Sequence, residues 1–142
     1  MDWKIELIHV PVSDVDRAKE FYVDKLGFRE DVDYQGGPMR VVQVTPPGSE
    51  CSITFGAGMP QAEPGSSLGM HLVVKDIEAA RRQLVDAGVE VSEPFHFSEQ
   101  GQTPGLHPER ADFGTFATFA DPDGNGFLLQ ERGGSGASAR VS

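Results

Sequence analysis

The chain has 142 residues, room for one domain or two very small ones. Twelve Lys and Arg stand against 22 Asp and Glu, a net charge of −10 with no basic block, which argues against nucleic acid and anionic membranes as partners. The one cysteine, Cys51, excludes an intramolecular disulfide; no apolar run approaches the ~20 residues of a membrane span, and the N-terminus lacks a signal-peptide pattern, so a cytoplasmic protein is expected.

Trp3 to Val12 alternates apolar and polar residues, which predicts a strand. Ser13 or Asp14 can cap the following helix, because a short side-chain oxygen satisfies a free backbone N–H there. Val15, Ala18, Tyr22 and Leu26 then fall on one helical stripe, and Gly27 ends it. Phe28 to Tyr34, Arg40 to Thr45 and Cys51 to Phe55 are short strand candidates separated by the turns QGGP and PPGSE. A connector rich in Gly and Pro follows. Leu68 to Val74 predicts a strand and Asp76 a helix cap. Ile77, Ala80, Leu84 and Val85 face inward, and Gly88 ends that helix. Val89 to Phe97 is the next predicted strand, and Ser98 to about Arg110 a loop long enough to act as a lid. Phe113 to Ala120 and Phe127 to Glu131 close the pattern, joined by DPDGNG, which is read as a turn without chemistry.

The chain repeats itself. IHVPVSDVDRAKEF from Ile8 lies over MHLVVKDIEAARRQ from Met70, matching His9 to His71, Val12 to Val74, Asp14 to Asp76 and Ala18 to Ala80 at one constant offset. The period is too long for a solenoid unit and fits two copies of one small βαβββ module. The expected organisation is residues 1–57 for the first module, 58–67 for the connector, 68–132 for the second module and 133–142 for a flexible tail.

Strand parity separates Gln43 from Val42 and Val44, and Phe119 from Phe116 and Thr118. A buried Gln43 needs hydrogen-bond partners, a ligand among them. Trp3, Phe55, Phe95, Phe97 and Phe119 are candidates for an aromatic wall, although core packing against the helices is the competing role for each. His107 is expected at the surface. No phosphate-binding glycine loop, Ser-His-Asp order or Cys-x-x-Cys is present.

Two βαβββ modules opening on HVPVSDVDRAKEFYVDKLGF, with FADPDGNGFLLQE near the end, resemble the vicinal oxygen chelate superfamily of glyoxalases, extradiol dioxygenases and bleomycin-resistance proteins. The resemblance covers about Trp3 to Arg132. It implies an α+β fold, with the modules forming a curved mixed sheet around a cavity, and a homodimer. It also implies metal ligands: His9 in the first strand, His71 in the fifth, and carboxylates in the fourth and eighth. Those carboxylate positions fall on or near Thr54 and on Leu128, so both histidines are present and both carboxylates are absent. Gln130, two residues on, shares the strand face of Leu128 and is a substitute third ligand; Glu131 points the other way unless the strand bulges. His96 could also swing in.

The expected function is therefore a small-molecule-binding cavity with a degenerate two-His metal site, serving detoxification or antibiotic binding. Gln43, Thr54, Phe55, His96, Phe119 and Leu128 are the candidate contacts to a small, partly hydrophobic or aromatic molecule. Any cofactor would be one divalent ion: Zn, Ni, Fe or Mn. One alternative is a metal-dependent lyase, isomerase or dioxygenase using His9, His71 and an unusual third ligand. Another is a non-catalytic interaction module.

Overall fold

Asp14 and Asp76 start the two helices as their sequence positions suggest. Asp14 accepts from the Arg17 amide, and Asp76 from the amides of Glu78 and Ala79. In the computed structural model, which describes residues 1–133, these helices are α1 (Val15–Lys19) and α2 (Ile77–Asp86). The tail expectation from residue 134 onward lies outside the described residues. α1 continues as one wider π-helical stretch, Glu20–Lys25, in which the Leu26 amide reaches back to the Phe21 carbonyl. Gly27 and Gly88, with φ of 75° and 86°, take the left-handed turn that ends each helix at little steric cost.

The strands are β1 (Leu7–His9), β2 (Arg29–Gly36), β3 (Met39–Thr45), β4 (Ser52–Ala57), β5 (Met70–Val74), β6 (Phe95–Ser98), β7 (Gly101–Pro104), β8 (Phe116–Ala120) and β9 (Gly126–Glu131). They divide into a four-stranded sheet, β1-β4-β3-β2, and a five-stranded sheet, β5-β9-β8-β6-β7. Each is mixed, with one parallel pair: β1 on β4 and β5 on β9. The fold is α+β, built on the repeat that the sequence displays.

Four expectations about the strands change by more than a residue or two. The first strand shrinks to Leu7–His9, because its ladder to β4 begins only where Leu7 meets Ser52. The strand expected from Val89 starts at Phe95, directly after Pro94, which has no amide proton to give a ladder. The expected lid loop instead contains β7, which returns as a hairpin against β6 and pairs Ser98 with Gly101. The strand expected from Phe113 starts at Phe116, since Phe113 takes a φ of 63° and leaves the extended region. The last strand is thus the ninth rather than the eighth.

The described residues form two compact units: residues 1–68 with 121–125, and residues 69–120 with 126–133. In the first, the helix covers one face of the sheet. Val42, Val44, Ile53 and Phe55 of the sheet and Ala18, Phe21 and Tyr22 of the helical segment are all buried. The Tyr22 ring lies 5.4 Å from Phe55. Each large apolar side chain so buried contributes about 1.5–3 kcal/mol of transfer free energy. The DPDGNG turn belongs to this unit. Buried Asp121 accepts from the Tyr22 hydroxyl at 2.7 Å and from the Asn125 side-chain amide at 2.8 Å. Asn125 also donates to the Pro11 carbonyl at 2.8 Å and accepts from the Ser67 amide. Asp123 meets Ser13 and Arg17.

In the second unit, α2 covers Ala117, Phe119, Phe127 and Leu129. Phe119 stacks on Phe127 at 5.1 Å. Glu131 lies on this same buried side, because β9 continues to its end without a bulge. Its carboxylate accepts from the Ile77 amide at 2.9 Å and from the Arg110 guanidinium at 2.8 Å.

Candidate functional site

Alternation along β3 and β4 leaves one face of the first sheet polar. His9 pairs with Thr54, and Thr54 with Gln43, so the three share the face away from the helix. His9 is exposed and Gln43 half-buried. Thr54 is buried and spends its hydroxyl on the Val42 carbonyl at 3.0 Å. Beside them a groove of about 810 Å³ is lined by Arg29, Asp31, Gln43, Thr45, Cys51 and Ser52 among others. Four of its polar side chains partner one another. The Thr45 hydroxyl bonds to Asp31 and sits 2.7 Å from that of Ser52, while Arg29 meets Asp31 at 2.7 Å. The Thr45 hydroxyl, then the Arg29 guanidinium, hold the Asp31 carboxyl below the usual carboxylate range.

The second sheet also turns one face away from its helix, and this one is apolar with a polar centre. Leu128 stands in register with His71 on one side and Thr118 on the other; Gln130 stands between Val73 and Phe116. His71 and Val73 are exposed, and Leu128, Gln130 and Phe116 half-buried. The His71 Nδ1 is 3.0 Å from Gln130 Oε1, and Gln130 Nε2 donates to the Phe113 carbonyl at 3.1 Å. Phe95, Phe97 and Phe116 form one aromatic cluster with centroids 5.4–5.9 Å apart. Phe97 remains 58% exposed, so this cluster is not sealed core.

The predicted contacts therefore separate. His71, Gln130 and Leu128 are brought together on one face, as are His9, Thr54 and Gln43 on the other sheet. Phe55 and Phe119 are not on an open face: each falls on the helix side, where register with Val42 and with Phe127 buries it in the core. His96 is buried on the opposite side of β6 from Phe95 and Phe97. Its Nδ1 lies 2.9 Å from the Gly105 carbonyl, and its ring 5.9 Å from His107. His107, expected at the surface, is only half-exposed and accepts the amides of Glu109 and Ala111 on Nδ1. Trp3 is 87% exposed and builds no wall within its unit. Phe116 and the Phe113 carbonyl are the contributors that sequence reasoning passed over. Parity had already put Phe116 opposite Phe119, but the inward turn at Phe113 has no sequence signal.

The donor set does not fit a divalent ion. A carboxylate is absent from both expected positions. Thr54 is committed to a carbonyl, Gln130 to His71 and Phe113, and Leu128 offers no donor. Among the described residues no group of three His, Cys, Asp or Glu side chains is gathered for a metal. Two neutral imidazoles leave the charge of such an ion uncompensated.

Residues 4–129 match the model of the Glyoxalase/Bleomycin resistance protein/Dioxygenase superfamily, and the chain belongs to that family. It is similar to TnmS3, an antibiotic binding protein from Streptomyces sp. CB03234. The two are 34% identical with a TM-score of 0.73, over 92% of this chain and 97% of that one. A glyoxalase/bleomycin resistance protein from the same strain is also 34% identical, with a TM-score of 0.70, over 90% of this chain and all of its own. An uncharacterized protein of Bacillus subtilis (strain 168), YetH, is 30% identical over 90% of this chain and 98% of its own length. Among the described residues no helix is long and apolar enough to cross a membrane.

Proposed function

We propose that this protein binds a small, partly hydrophobic aromatic molecule, an antibiotic or a compound of that kind, without using a metal for chemistry. The observation that carries this reading is the residue opposite His71. Leu128 occupies the position where the resemblance requires a carboxylate, in direct register with the histidine, on a face that also presents Phe97, Phe116 and Val73. Apolar walls around a few polar groups suit binding of such a molecule. The likeness to an antibiotic binding protein supports the same reading. We propose also that the protein works as a homodimer. Among the described residues β1 has an unpaired edge, and Trp3, Ile5 and Leu7, before and at its start, expose apolar surface at alternate positions. A cytoplasmic setting agrees with its single free thiol, Cys51.

The test is a thermal-shift and calorimetric screen against polycyclic aromatic antibiotics, run with and without added Zn, Ni, Fe or Mn. A bound compound at a hundred times its Kd stabilises the fold by about 2.7 kcal/mol. Binding that persists in a chelator supports the proposal. Binding or turnover that requires the ion would move the reading to the metal-dependent lyase, isomerase or dioxygenase.

A further inference from the structure

Gln130 has one amide end on each of two partners, and one of those partners has no ambiguity. The Phe113 carbonyl can only accept, so the end 3.1 Å from it is the NH2 group. The other end is then the carbonyl oxygen, and it lies 3.0 Å from His71 Nδ1. An oxygen facing a ring nitrogen at that distance requires the nitrogen to donate. Phe113 is itself well held: its amide donates to the Glu131 carbonyl at 2.7 Å, and the Arg132 guanidinium lies 5.1 Å over its ring. The orientation of the Gln130 amide is thus imposed from the backbone side, before any ligand arrives.

We propose that Gln130 is a positioning residue that holds neutral His71 with its proton on Nδ1, leaving Nε2 as a hydrogen-bond acceptor for a phenolic or enolic hydroxyl on the bound molecule. Among the described residues His71 makes no hydrogen bond through Nε2, and its side chain is exposed. Around it, Leu128, Val73 and Phe116 are apolar, and they suit the carbon skeleton of an aromatic compound. A hydroxyl on that skeleton satisfies Nε2; an ether at the same place offers only a second acceptor and leaves both lone pairs facing each other. The ligand part of this proposal rests on the small-molecule-binding reading above, whereas the role of Gln130 does not.

Two measurements separate the parts. The first is 15N NMR of the histidine rings at a pH where imidazole is neutral, with no ligand present. His71 is expected to carry its proton on Nδ1 in the native protein and in Gln130→Glu, which keeps an acceptor in place. It is expected to lose that preference in Gln130→Met, which has similar bulk and neither polar group. Gln130→Leu serves in its place should the methionine variant not fold. Nδ1 without a proton in the native protein, or unchanged after Gln130→Met, overturns the positioning role. The second measurement compares 2-naphthol with 2-methoxynaphthalene by calorimetry. The naphthol is expected to bind the native protein about tenfold more tightly, and the margin to vanish in Gln130→Met. Equal affinity of the two probes for the native protein overturns the hydroxyl preference. Failure of both to bind goes against the ligand part and the binding reading together, while the NMR result still decides the role of Gln130.

Discussion

Glu131 carries a charge to the end of β9 and turns it into the protein, with its side chain 1% exposed. Such a group persists only with partners, and it has two: the Ile77 amide at the start of α2 and Arg110, which adopts a φ of 50° in the preceding loop. Arg110 first, then the Ile77 amide, hold the Glu131 carboxyl below the usual carboxylate range against the opposing effect of burial. A depressed folded-state value means that the contribution is complete above the ordinary glutamate value of about 4.3 and is lost as pH falls through the lowered one. Arg110→Ala strands a buried carboxylate. Because Arg110 is 37% exposed and partly screened, the cost at pH 7 should sit at the low end for a broken buried pair, about 3 kcal/mol. Urea unfolding of both proteins in steps from pH 7 to below about 4 should show that penalty shrinking as the carboxyl protonates. A penalty independent of pH would mean that lost packing, not charge, is what Arg110 supplies. Strand parity made the direction of Glu131 legible in the sequence. Its partner was not legible, since Arg110 lies 21 residues away in a segment without periodicity.

At the scale of elements, the DPDGNG turn does more than reverse the chain. Asp121 and Asn125 satisfy the Tyr22 hydroxyl, the Pro11 carbonyl and the Ser67 amide. Burial, then the Asp121 carboxylate, push the Tyr22 hydroxyl well above its ordinary range, so it remains a donor. Tyr22→Phe removes one hydrogen bond to a charged group but leaves Asp121 three others, from the Asp123 and Asn125 amides and the Asn125 side chain. The expected loss is about 1.5 kcal/mol, seen in calorimetry as a fall of several degrees in Tm. An unchanged Tm would show the bond to be replaceable by water. Asp and Asn in a turn are legible as local conformers, but their second use, as partners for distant backbone groups, depends on a tertiary approach that no local pattern encodes. The helices and caps were legible because Asp14, Asp76, Gly27 and Gly88 act within one turn of chain. The hairpin of β6 and β7 was not. Ser98 to Pro104 is polar on both faces and shows no alternation.

For the whole molecule, the internal repeat was the strongest sequence signal, and the two sheets reproduce it: each has one parallel pair formed by its module's first and last strands. The candidate site was half legible. His71, Leu128 and Gln130 share a face as parity required, whereas Phe55 and Phe119 went to the cores because an aromatic on a strand serves either side equally well. The proposed dimer follows from the exposed apolar residues before β1. Light scattering at micromolar concentration should give about twice the chain mass of 15.3 kDa, and Trp3→Ser with Ile5→Ser should shift it toward one. A native mass of a single chain would leave Trp3 and Ile5 as isolated surface residues.

The place of residues 121–125 in the first unit has a consequence for the order in which the protein is made. A ribosome adding about 5–20 residues per second completes residue 68 several seconds before it reaches Asn125. Through that interval the nascent first module holds its apolar helix face and its strands, yet Asp121 and Asn125, which bond to the Tyr22 hydroxyl and the Pro11 carbonyl, have not been made. Vectorial synthesis therefore cannot finish one half and then begin the next. The first module is closed from the far end of the chain, after nearly all of the second has emerged.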